Sequence, residues 1–360
     1  MKHFFSLRRS LLDSRGATLV FVALLLVVLL GVAALVVDIG YAAVVRNELQ
    51  NAADAAALAG ARQLGANYEP LSMADQQAYV CDRATVTAPV IAVAGQNEAA
   101  NASISVLGGD IVIGKWNATT RGPITEDLNQ PDAVQVTVRR DSEINGPVST
   151  FFARVLGINT YDAGATATAA LTGTMKVDPG ELIPVGLSKD WFDSTPTFCG
   201  QPIKFNPSNA ASGCAGWNTY TRWPANTAYL RDTILEGWLS GTFTSPGAEW
   251  PVDFVFYGNT PGATLLTAFE NLFNYMKTRD TDEDPDTWSV YVPVYDNGTG
   301  CSNPTGTLPI VGFAAAKITS ISGPPDHLIN AVVVCDLVEP TSRGGGNDYG
   351  VKGSIPGLVR

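Results

Sequence analysis

The sequence predicts an α+β protein: a single N-terminal transmembrane helix that continues into a long extracytoplasmic helix, followed by a mixed α/β body with largely antiparallel sheets. Three observations carry this. Residues 17–37, ATLVFVALLLVVLLGVAALVV, run for 21 positions without a charge. Residues 38–66 follow with no Pro and no turn cluster, rich in Ala, the best helix former. The remainder alternates short β-branched runs with two amphipathic stretches at helical spacing.

The first 16 residues hold Lys2, Arg8, Arg9 and Arg15 against Asp13, a local +3 that leaves −14 for the rest of a chain whose formal charge is −11. At 1.5 Å per residue, residues 17–37 make a helix of roughly 30 Å, the thickness of a bilayer core. A cleavable signal peptide has a shorter apolar region of about 7–15 residues and a small-residue cleavage site. This run is longer and ends on Asp38. Basic residues before the span place residues 1–16 in the cytoplasm and the acidic body outside. The acidic body argues against nucleic acid, whose phosphates need Lys and Arg.

Projected at 100° per residue, Leu49, Ala53, Ala56, Gly60 and Leu64 share one face of residues 38–66. Small residues bury little area but let another backbone come close. This stalk reads either as a plain spacer or as a packing surface for other helices of an assembly.

From residue 67 to 175 an α+β domain is expected. A short helix is read at residues 70–83, and strands in ASISV, DIVIGKW and AVQVTVRR, where Val134, Val136 and Val138 share a face. STFFARVLG from Ser149 suits a short helix whose Phe151, Phe152, Val155 and Leu156 cover the sheet. ATATAALTG closes the domain. A second, Trp-rich α+β domain, residues 178–343, holds six of the seven tryptophans. Helices are read near residues 227–239 and after Pro261, which suits a first helical turn. The latter would bury Leu265, Leu266, Phe269, Leu272, Phe273 and Met276. Strands follow in WSVYVPVY, PIVGFAAAKITSI and LINAVVVCDLV. Residues 344–360 read as a flexible tail.

Candidate chemistry is sparse. GDIVIGKW, residues 109–116, misses the phosphate-loop pattern because Trp116 stands where a hydroxyl must hold Mg²⁺. Asp280, Asp282, Asp284 and Asp286 offer oxygen ligands for calcium, but Pro285 occupies the position where the loop needs Gly, so a solvated acidic loop competes with that reading. Trp217, Tyr220 and Trp223 form a candidate binding patch for a glycan or protein, against the alternative that they fill core. Cys199, Cys214, Cys301 and Cys335 are candidate disulfide partners; the local pairing is 199–214 and 301–335 with Cys81 free, out of fifteen arrangements. Five ordinary buried thiols remain the alternative. No elbow, zinc helix or histidine pair points to catalysis, and no cofactor is expected.

The string SRGATLVFVALLLVVLLGVAALVVDIGYAAVVRNELQNAADAAALAGARQL resembles the N-terminal segment of the TadE/TadG-like family, associated with assembly of bacterial Flp (tight adherence) pili. The block LQNAADAAALAGA carries the likeness most specifically. A second block, DAVQVTVRRDSEINGPVSTFFARVLGINTYDAGATATAAL, extends it, so that it covers residues 13–175. Pilin-like members are cut after a Gly and carry a Glu shortly inside the apolar segment; here Gly16 is followed by no acid before Asp38. The resemblance therefore implies a TadG-like protein that keeps its anchor, a processed minor subunit being the variant reading. No D-x-S-x-S motif of a von Willebrand A domain occurs. The implied role is non-enzymatic docking or scaffolding, with other pilus-assembly proteins as partners through the transmembrane and stalk helix, and membrane lipid around the span. The alternatives are a secreted or surface adhesion protein acting through the Trp-rich domain, and a hydrolase using paired carboxylates.

Overall fold

The computed structural model describes residues 14–118, 120–205, 215–258, 263–280, 284–298, 304–322 and 328–359. Its N-terminal helix, α1 (Ser14–Tyr68), is unbroken over 55 residues, about 80 Å at the α-helical rise. It is the one helix among the described residues long and apolar enough to cross a membrane. The expected helix at 70–83 is instead a single short α2 (Met73–Gln77), capped by the Ser72 hydroxyl accepting from the Asp75 N–H. The next helix, α3 (Arg83–Ala94), went unread because Thr, Val and Ile favour strands and Pro89 lies inside it. Val86, Val90 and Ala94 are fully buried at four-residue steps, which is the helical signal.

The chain packs as two compact units, each discontinuous in sequence: residues 14–53, 92–110 and 137–166, and residues 54–91, 111–136 and 167–359. Strands β1 (Ile111–Lys115), β2 (Thr125–Glu126), β3 (Ala133–Arg140), β4 (Val148–Ser149), β5 (Thr160–Tyr161) and β6 (Ala163–Ala170) follow α3. β4 and β5 form an antiparallel hairpin in the first unit. In β3 the buried positions include Val134, Val136 and Val138, as the alternation predicted. The phosphate-loop look-alike is the strand β1. A Cβ on Gly114 would lie 1.9 Å from the Thr125 carbonyl oxygen, so the glycine serves close strand approach.

In the second unit, β7 (Val185–Ser188), β8 (Pro202–Phe205), β9 (Ala215–Asn218), β10 (Val252–Gly258), α4 (Ala263–Met276), β11 (Trp288–Tyr295), β12 (Thr305–Ser322) and β13 (Leu328–Val334) build a sheet of order β8-β13-β12-β10-β9-β7-β11. The 18-residue β12 also pairs with β11, so five strands close on themselves. All pairings but β7–β11 are antiparallel. Helix α4 buries Leu265, Leu266, Phe269, Leu272 and Phe273 as its periodicity predicted. Leu230, Ile234, Leu235 and Trp238, on the helical stretch 229–240, join the same core.

The disulfide joins Cys199 to Cys335, not the local partners expected from the sequence. Antiparallel β8 and β13 pair Pro202 with Val332 and Ile203 with Ala331, and continuing that register brings Cys199 opposite Cys335. Sheet register overrides proximity in sequence. Cys214 and Cys301 lie outside the described residues, and Cys81 is buried and free.

Of residues 344–360, expected as a flexible tail, the described residues 344–359 instead carry structure. β14 (Leu337–Gly346) runs parallel to β15 (Val351–Ile355), and β16 (Gly357–Val359) pairs with β6 to give the order β16-β6-β3-β1-β2. The tail clamps the end of α1. Arg62 donates to the Ser354 carbonyl at 3.2 Å and Ser354 Oγ to Glu69 at 2.7 Å. Lys352 meets buried Asp132 at 2.6 Å, and Gln76 exchanges two hydrogen bonds with the Val338 backbone. A Cβ on Gly65 would sit 2.0 Å from the Ser354 carbonyl oxygen. Gly65→Ala should therefore lower stability by about 1–3 kcal/mol through overpacking, read from the denaturant midpoint of the purified full chain. An unchanged midpoint would mean the clamp is dispensable.

Candidate membrane-proximal site

The predicted helix face is buried, but by this chain itself. Leu49 and Ala53 in the first unit, and Ala56, Gly60 and Leu64 in the second, are all inaccessible. A Cβ on Gly60 would lie 2.6 Å from Val90 and 2.9 Å from Val134. The small residues therefore admit the chain's own α3 and β3, and the face is not free to receive helices of other proteins. The aromatic patch divides in the same way. Trp217 is fully buried edge-on to Phe269, and Tyr220, 3% exposed, donates to the Leu182 carbonyl at 2.7 Å. Only Trp223 stands in solvent. Trp217 is core because it lies on β9, one of the strands of the closed sheet, and Tyr220, just beyond that strand, packs against Phe243 and Phe254.

Of the acidic loop, Asp280 accepts from the Ser289 N–H across the loop, and Asp284 accepts from the Asp286 N–H as a local turn bond. Asp282 and His327 lie outside the described residues. A paired carboxylate exists elsewhere: Glu181 and Glu339, beside Tyr291. Glu339 is 3% exposed, and burial, followed by the neighbouring Glu181, pushes its carboxyl up to about 8. Burial and then Asp178 raise Glu181 as well. A neutral Glu339 is thus a packed hydrogen-bonding group of the core.

The feature missed in the sequence lies where the apolar run ends. Asp38 accepts the N–H of Phe151 at 2.8 Å, of Phe152 at 3.0 Å and of Ala153 at 2.6 Å. These amides begin the 3₁₀ turn Ala153–Leu156 at the tip of the β4–β5 hairpin, and its free donors need an acceptor. Asp38 supplies it from 113 to 115 residues away in sequence. Tyr41 stacks edge-on against Phe151 with centroids 4.9 Å apart. Gly157, at φ 87°, turns the chain back, and the Thr150 N–H donates to the Asn159 carbonyl at 3.0 Å. The turn does not cover the sheet as expected: Phe151, Phe152, Val155 and Leu156 are all exposed. Four residues of 3₁₀ turn held end-on by Asp38 are too short to lie across a sheet. The signal available in sequence was the charge itself, a lone carboxylate directly after 21 apolar residues.

Residues 16–63 match the family model for TadE/G-like Flp pilus-assembly proteins, and residues 42–169 match a second model for Tad-like Flp pilus assembly. Asp38 and the hairpin tip both fall within the matched region. No curated protein and no solved structure matches the chain.

Two outcomes are expected. In Asp38→Ala, amide hydrogen exchange at Phe151, Phe152 and Ala153 should accelerate while that of Val134 and Val136 stays protected; equal protection at the tip would show the cap to be idle. For Glu339, the folded carboxyl binds its proton more tightly than the unfolded one, so stability falls as pH rises from about 5 to about 8. Glu339→Gln should flatten that fall in denaturant midpoints measured across the same range.

Proposed function

Since residues 16–169 belong to the Tad-like Flp pilus-assembly family, we propose that this chain is a membrane-anchored, non-enzymatic component of Flp (tight adherence) pilus assembly, held in the cytoplasmic membrane by residues 17–37. In this reading residues 1–16 stay in the cytoplasm and the body is extracytoplasmic. The observation that carries it is the exposure of the span. Leu19, Phe21, Leu24 to Leu30, Val36 and Val37 are each about half exposed or more, and none of this stretch is buried by the described residues. A contiguous apolar surface of that size needs lipid or another apolar helix.

The scaffolding role follows from which surfaces stay free. The Ala/Gly face of α1 is used internally, so contacts with other pilus-assembly proteins fall to the exposed span and to the surface of the body. The Glu181–Glu339 pair, packed against Tyr291, supports a structural role better than a hydrolytic one, because a carboxylate acid–base pair must meet substrate and water. Burial of Trp217 and Tyr220 likewise weakens the adhesion reading.

The test is a bacterial strain lacking this chain. It should lose surface Flp pili, and the full chain should restore them, with the restored protein resisting alkaline carbonate extraction and keeping residues 1–16 on N-terminal sequencing. Normal piliation without the chain would sink the assembly role. A mature N-terminus at Ala17 would redirect it to a processed fibre subunit.

A further inference from the structure

The hairpin tip is the second large apolar surface of the first unit. Val155 is 84% exposed, Leu156 78%, and Phe151, Phe152 and Ile158 about half. Folded chains seldom leave five large apolar side chains together in water. Here they occupy one turn of eight residues, FFARVLGI, whose interior is stiffened by the Thr150 Oγ1 bond to the Ile158 carbonyl and by Arg154, tied back to the Thr150 carbonyl at 3.0 Å. The tip is ordered, so its exposure is built in.

Its position selects the occupant. Asp38 is the first residue after the apolar run, and it grips the Phe151, Phe152 and Ala153 amides directly. The tip is therefore held at the level where the apolar run ends. Its chemistry fits the headgroup boundary. Aromatic rings, including Tyr41 beside Phe151, favour the interface, and a single Arg among apolar residues suits anionic headgroups. The Asp38 carboxylate would be costly there if bare; three N–H donors satisfy it.

We propose that residues 151–158 insert into the outer headgroup and acyl boundary of the bilayer, as a second, monotopic contact beside the span. The inference rests on the membrane-anchor reading. Two contacts from one unit, bridged by Asp38, fix the depth and rotation of α1, which a lone helix leaves free to tilt and spin.

Photolabelling of the full chain in vesicles of phosphatidylethanolamine and phosphatidylglycerol tests this. A diazirine amino acid replaces Leu156, Leu26 or Trp223 in turn, and adducts are identified by mass spectrometry. Lipid adducts at 156 should approach those at 26 and exceed those at 223 on the order of ten-fold, as for a segment lying in the interface. Adducts at 26 with none at 156 would overturn the insertion while leaving the anchor intact. Protein adducts at 156 in place of lipid would overturn it in favour of a partner or second copy. Absence of lipid at 26 would fell the anchor and the insertion together.

Discussion

Helix α1 and the C-terminal strand β15 approach so closely that the Gly65 position has no room for a methyl group beside the Ser354 carbonyl. That approach is the constraint on which the second unit depends. It requires glycine at 65, while the buried glycine at 60 of the same helix admits Val90 and Val134 from α3 and β3. It also explains how a helix with so little apolar bulk is held. Ala and Gly contribute small transfer energies, so the clamp relies on close contact and on polar groups satisfied around it: Arg62, Glu69 and Ser354 in one cluster, Asp132 and Lys352 in another. The buried Lys352–Asp132 pair is specific more than it is strong, since desolvation offsets much of its attraction.

Near the middle of α1, where its apolar run ends at Asp38, the governing problem is unsatisfied polarity. A carboxylate next to an apolar span and a short turn with three unpaired N–H groups are each unfavourable where water is scarce. Joined, they satisfy one another. The consequence is structural: α1 carries a bracket at Asp38 made from residues more than a hundred positions downstream.

Several local readings of the sequence failed for a common reason. The cysteines were paired by proximity along the chain, whereas the β8–β13 register decides that Cys199 meets Cys335. Trp217 and Tyr220 look like a patch beside Asn and Arg, yet they pack against Phe269 and against Phe243 and Phe254 in the core. The Phe151–Leu156 stretch reads as a short helix covering the sheet; only the fold, with its attachment to Asp38, shows that its apolar side chains are exposed. In each case the deciding neighbour lies far off in sequence.

What the sequence by itself determined is whatever depends on local period and on solvent class. The span, the continuous α1, the α4 face and the long strands of the second unit follow from 3.6- and 2-residue repeats of apolar side chains, and the family likeness from a contiguous block around Leu49 to Ala61. Tertiary structure alone decided which surfaces remain free. Residues 351–359, VKGSIPGLV, are broken by Gly353, Pro356 and Gly357, which read as turn signals, and their place is set by backbone pairing with β6 and β14. The Ala/Gly face offers the same small residues to an outside helix or to the chain's own α3 and β3, and only the folded backbone selects between them. Burial is a property of pairs of distant segments, and no local pattern encodes the second member of the pair.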